Sequence, residues 1–115
     1  MTDLEITRLC AEAMGVRNDN EGFYCGVPCV WTVECSSANH QTHRAFYPLL
    51  DDAQAMALVK KFRLYIDGDG NRSDYNIWQV ECWPEGATEA GEIAVSQDLN
   101  HAICECVAQM RRAGK

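Results

Sequence analysis

The residues best suited to chemistry lie in one 19-residue stretch that contains five soft metal ligands: Cys25, Cys29, Cys35, His40 and His43. Zinc prefers thiolate and imidazole ligands, but the gaps of three, five, four and two residues do not match the usual structural zinc sites. If 29–35 is a strand, Cys29 and Cys35 lie about 20 Å apart, too far to share one ion. We therefore predict reduced cysteines and exposed histidines, with no bound metal. A zinc- or thiol-dependent protein that uses this cluster is the alternative.

Other catalytic signals are weak. No Gly-x-Ser-x-Gly motif or phosphate-binding glycine loop occurs in the sequence. His101 and Cys104 are three residues apart in a predicted helix, where Cys104 is expected to lie off the buried stripe, but such neighbours arise by chance. The acidic segment 67–75 is similar to a calcium loop, yet it has Arg72 where glycine is required and Trp78 where the closing glutamate would be. We predict a non-enzymatic protein without a cofactor.

The composition is that of a folded, acidic chain. The chain has 115 residues, 47% of them hydrophobic, which predicts one domain over 1–115. Its 10 Lys and Arg residues against 17 Asp and Glu residues give a net charge of −7, which repels nucleic acid and favours a basic protein partner. No apolar run is long enough to span a bilayer, and the first residues lack the features of a secretory signal, so we expect a cytoplasmic location.

Three amphipathic helices are predicted. The first covers about 3–14, with Thr2 and Glu5 at capping-box spacing and Gly15 as its stop signal. The second begins at Asp51 or Asp52 and ends near 61–62. The third is capped by Asp98 and has an apolar stripe of more than three turns, which comprises Leu99, Ala102, Ile103, Cys106, Val107 and Met110.

Strand patterns separate these helices. Residues 15–22 read as a loop, and 22–45 as a probable hairpin insertion built around the alternating CVWTVEC segment. Three more strands follow the second helix. Trp78, Val80 and Cys82 share a face of one of them, and Ile93 and Val95 share a face of the last. The order α-ββ-α-βββ-α predicts an α+β layered sandwich, with a mainly antiparallel sheet covered by three helices.

One internal similarity allows two explanations. WTVEC at 31–35 and WQVEC at 78–82 match at four of five positions, and each precedes a helix with an aspartate cap. A duplicated strand–strand–helix unit would produce this, and so would two alternating strands of similar composition. We favour the second explanation, because the two helices share little beyond their patterning.

Three short motifs occur in an order that resembles a known family: Tyr47-Pro48-Leu49 before Asp51-Asp52, then Trp78-Gln79-Val80, then Ala102-Ile103-Cys104. The chain is similar over about 2–14 and 46–112 to small phage and prophage proteins of the phage alpha-beta-alpha sandwich family. The resemblance implies a layered fold and a phage or prophage origin. The family has no established activity, so the resemblance implies no functional residue.

Two aromatic residues are candidates for a partner contact: Trp83, beside Pro84 at a strand end, and Tyr47, which precedes Pro48. Together with the acidic charge, they indicate a phage or prophage accessory protein that binds a host or phage protein. We expect the contact to use the variable hairpin and the edge of the sheet. The partner and the oligomeric state are not predicted.

Overall fold

A computed structural model describes residues 1–37, 40–68, 77–83 and 91–114, with the backbone alone for 34–37, 40–42 and 68. These residues form three helices and six strands. In chain order they are α1 (Asp3–Met14), β1 (Asn20–Tyr24), β2 (Val27–Ser37), β3 (His40–Phe46), α2 (Asp52–Phe62), β4 (Tyr65–Gly68), β5 (Trp78–Glu81), β6 (Ile93–Ser96) and α3 (Leu99–Arg112). The predicted α+β class is confirmed.

The ends of the helices follow the capping chemistry in the sequence. The Thr2 hydroxyl accepts a hydrogen bond from the Glu5 amide at 3.1 Å, and Gly15 ends α1 in the left-handed conformation with φ of 71°. Asp51 caps α2, and Asp98 caps α3 by accepting from two amides. Each helix therefore begins within one residue of its predicted start, because the cap satisfies amides that have no partner inside the helix.

The structure adds one strand to the predicted order. Residues 20–22 belong to β1, where the sequence predicted a loop, and β1 pairs with β2 in antiparallel register. Cys25 and Gly26 form the two-residue connection, and their φ values of 51° and 81° are those of a tight hairpin turn. The segment 22–45 therefore lies within a three-stranded sheet. The first three residues of β1 concealed the strand, because 20–22 lack the apolar alternation that marks a strand.

The six strands form two antiparallel sheets, β1-β2-β3 and β4-β5-β6, and each sheet precedes a helix with an aspartate cap. The two similar pentapeptides lie in β2 and β5, the central strands. Their tryptophans do not occupy equivalent positions, because Trp78 packs against the core while Trp31 contacts Tyr24 and His43 outside it. The two sheets thus share a topology, but the matching residues of the two pentapeptides have different environments.

Helix α3 lies at the centre of the molecule. It packs against α1, α2, β5 and β6, and seven of its residues are buried: Ala102, Ile103, Cys104, Cys106, Val107, Ala108 and Met110. The expectation that Cys104 lies off the buried stripe is wrong, since it is 0% exposed. A helix covered on several sides buries more than the single stripe that an amphipathic pattern indicates. Within the described ranges, no helix is long and apolar enough to cross a membrane.

Candidate functional site

The candidate metal ligands are spread along the first sheet. Cys25 is exposed at the β1–β2 turn, Cys29 is buried, and His43 is exposed opposite Val33. The backbone of Cys35 pairs near the other end of β2, about 30 Å along the strand from Cys25. The side chains of Cys35 and His40 lie outside the described residues, as does most of the acidic segment 67–75. Among the side chains that are described, no group of three Cys, His, Asp or Glu could hold a metal ion.

Aromatic rings cluster on the face of the first sheet that contains Cys29. The Tyr24 ring lies 5.1 Å from the Tyr47 ring and 5.9 Å from the Trp31 ring, measured between centroids. Gly22 pairs with Cys29 in the register and leaves room beside the Trp31 indole, 3.8 Å from where a Cβ would be. Burial raises the pKa of the Cys29 thiol. The candidate Tyr47 is thus half-buried in a ring cluster that belongs to the packing of this sheet.

The remaining thiols lie in the core. The Cys10 thiol donates a hydrogen bond to the Cys104 carbonyl oxygen at 3.2 Å, and the contact with Cys10, together with burial, raises the pKa of Cys104. The neighbouring His101 instead lies at the surface, 3.4 Å from an Asp3 carboxylate oxygen and 3.5 Å from one of Glu105. The His101 ring thus lies against two carboxylates, whereas the Cys104 thiol is buried in the core.

The buried Cys106 thiol predicts a loss of stability at alkaline pH. Burial raises its pKa from 9.0 to about 12, so the unfolded chain loses this proton at a lower pH than the folded one. The contribution of the protonated Cys106 thiol to the free energy of unfolding is complete below pH 9 and is lost as the pH rises towards 12. We expect the free energy of unfolding of Cys106→Ala to fall less steeply over this range than that of the wild type, in urea titrations at each pH. Parallel curves would contradict the prediction.

The second sheet presents an apolar outer face, which we define by Tyr65, Trp83, Ile93 and Val95. These side chains are 63%, 39%, 45% and 52% exposed, respectively. The alternate positions Val80 and Ala94 are buried in the core. Ile93 and Val95 share a face, as predicted, and the candidate Trp83 is exposed on the same face. The alternation in the sequence predicts which residues share a face of a strand, but not which of the two faces the helices cover.

A carboxylate lies at the centre of this outer face. The register places Glu81 between Tyr65 and Ile93. One Glu81 oxygen accepts from the Gln79 amide, and the other accepts from the Trp83 indole nitrogen at 2.8 Å. The Trp83 ring also meets the Tyr65 ring edge to face, with centroids 6.0 Å apart. These contacts hold the carboxylate in place among apolar groups.

Comparisons of the chain with protein-family models, with curated proteins and with solved structures found no match. The resemblance to phage proteins stays a prediction.

Proposed function

We propose that this protein is a non-enzymatic binding module that holds a basic segment of a partner protein on the outer face. The observation that carries the proposal is the group of four exposed, large apolar side chains around the Glu81 carboxylate. Single exposed apolar residues are ordinary, but a contiguous group with a polar centre is typical of an interaction surface. Under the predicted phage origin, the partner is a host or phage protein.

The residue types on this surface favour a protein as the partner. Tryptophan and tyrosine contribute disproportionately to the binding energy of protein interfaces, because they bury much area and lose few rotamers. The contact between the Trp83 and Tyr65 rings restricts both side chains before a partner binds, so their ordering costs little additional conformational entropy. Ile93 and Val95 extend the apolar area along the edge strand β6.

The charge of the surface favours a basic partner. The strands β4, β5 and β6 carry two carboxylates, Asp67 and Glu81, and no lysine or arginine. The whole chain carries −7. A guanidinium group fits this arrangement because it can pair with a carboxylate while it stacks on an aromatic ring. The preferred ligand is therefore a segment in which arginine is flanked by apolar residues.

Selection from a library of random peptides tests the partner chemistry without knowledge of the natural partner. We expect peptides bound by the wild type to be enriched in arginine and apolar residues. Val95→Asn should weaken their binding by about tenfold or more, because it removes apolar area and places an uncharged polar group in the contact. Met56→Asn makes a similar change at an exposed apolar position on α2 and should leave binding unchanged.

One further measurement sharpens this test. Glu81→Gln should reduce the salt dependence of binding, because it removes the central charge. Enrichment of acidic peptides, or equal binding by the wild type and Val95→Asn, would refute the proposal. Deletion of 24–43 is a poorer test, because it removes Val30, a fully buried core residue.

A further inference from the structure

The second sheet ends at β6, an edge strand without a charged residue or a proline. Proteins place charged residues on edge strands to prevent pairing with other chains. Each of the other three edge strands in the described part of the chain carries one: Glu21 in β1, Arg44 in β3 and Asp67 in β4. Among these strands, β6 is therefore the one best suited to pair with another strand.

The backbone groups of Ile93 and Val95 point away from β5, within the plane of the sheet. The Cys82 amide donates to the Glu92 carbonyl at 2.9 Å just beyond the ends of β5 and β6, which sets the alternation of the ladder. Glu92 and Ala94 therefore direct their backbone groups towards β5. Ile93 and Val95 direct theirs towards the edge. Among the residues that the structure describes, these edge groups make no backbone hydrogen bond with another element.

The same two residues contribute their side chains to the outer face. A strand added to β6 continues the sheet, so alternate side chains of that strand extend the outer face. The residue opposite Ile93 would lie two strand spacings, about 9.6 Å, from Glu81, which pairs with Ile93 on β5. The hydrogen bonds that Glu81 accepts come from neutral groups, the Gln79 amide and the Trp83 indole, so its negative charge is retained.

We propose that the basic segment binds by adding to β6 as an antiparallel strand. The inference rests on the proposed function and specifies the conformation of the ligand. An antiparallel direction matches the two pairings that already form this sheet. A second copy of β6 could also occupy the edge, but it would bring a further charge of −7 to an acidic surface. Charge complementarity favours the basic segment.

Two peptides of equal composition test the proposal. In acetyl-Thr-Val-Thr-Arg-Thr-Val-Thr-amide, the valines and the arginine share one face of an extended chain. In acetyl-Thr-Thr-Val-Arg-Val-Thr-Thr-amide, the valines lie on the opposite face from the arginine. We expect the first peptide to bind saturably below about 1 mM in a two-dimensional NMR titration, and about tenfold more tightly than the second. Equal binding of the two peptides, or no saturation by the first, would overturn strand addition.

Methylation of single peptide nitrogens separates backbone pairing from side-chain contacts. In the antiparallel arrangement, the amide of the arginine donates to β6, and the amide of the threonine that follows it points away. N-methylation at the arginine should weaken binding of the first peptide about tenfold or more, and at that threonine by less than about twofold. Equal effects of the two methyl groups would contradict the proposed pairing.

Val95→Pro and Val95→Ala make the matching change in the protein. Both remove the apolar side chain, and only proline also removes the edge amide. This amide lies outside the ladder, so the fold should tolerate the proline. We expect Val95→Pro to bind the first peptide about tenfold more weakly than Val95→Ala, and equal affinities would count against the proposal.

Two further results would overturn strand addition in different ways. A wild-type dimer in sedimentation equilibrium that Val95→Pro converts to a monomer would assign the edge to a second copy of the chain. Enrichment of basic, apolar peptides from the random library, combined with no effect of N-methylation or of Val95→Pro, would leave the proposed function in place without backbone pairing. The failure of this inference is thereby distinguished from the failure of the proposed function.

Discussion

Cys25 is expected to react with iodoacetamide in the folded protein about as fast as a free thiol. The five buried cysteines should react on the order of 10³-fold more slowly: Cys10, Cys29, Cys82, Cys104 and Cys106. Reaction needs an accessible thiolate, and burial of these thiols requires the fold to open first. Residue-resolved mass spectrometry after brief labelling at pH 8, with urea-unfolded protein as the reference, measures the difference.

The same labelling distinguishes the zinc- or thiol-dependent alternative. A metal held by Cys25 would protect it, and removal of the metal with a chelator would then accelerate its labelling. We expect no effect of chelator on the Cys25 rate. Fast labelling of Cys29 in the folded protein would contradict the ring cluster on the first sheet. Tyr24→Ala and Tyr47→Ala should each increase the Cys29 rate if these rings cover it.

Replacement of Ile103 by alanine should lower the free energy of unfolding by about 2–5 kcal/mol. Ile103 is 1% exposed and lies on α3, where the packing of two helices and the second sheet leaves little room for collapse around a cavity. The measurement is urea unfolding followed by circular dichroism. Loss of less than about 1 kcal/mol would show that α3 is not the packed centre of the molecule.

Ile93→Ala is the matched control, because it makes the same change on the outer face. Its effect on the free energy of unfolding should stay within about 0.5 kcal/mol, while its peptide binding should weaken. A loss as large as that of Ile103→Ala would show that Ile93 is part of the packing of the fold. That result would contradict the proposed binding surface.

The helices were predictable because their signals are local. A cap such as Asp98 and a stop such as Gly15 act through atoms within four residues of chain, so their chemistry can be read from the sequence. The strand β1 was not predictable in the same way. Its stability comes from pairing with β2, and its first three residues, 20–22, carry no periodic apolar signal.

The candidate functional residues likewise divide into those that the sequence indicated and those that only the tertiary structure brought together. Trp83 was chosen from its position beside Pro84, and the structure places it exposed on the outer face. The role of Glu81 carried no sequence signal, because the residues around it come from strands that are distant in the chain. The five candidate Cys and His ligands are close in sequence but are spread along an extended hairpin and its turn.

The sequence by itself determined the helices, their caps, the α+β class and which residues of a strand share a face. Each of these depends on neighbours within a few residues. Only the tertiary structure decided that the strands form two sheets, that α3 lies at the centre, and that Ile93 and Val95 face outward. The physical reason is that alternation gives a strand two faces of different composition, whereas burial depends on which face the helices cover.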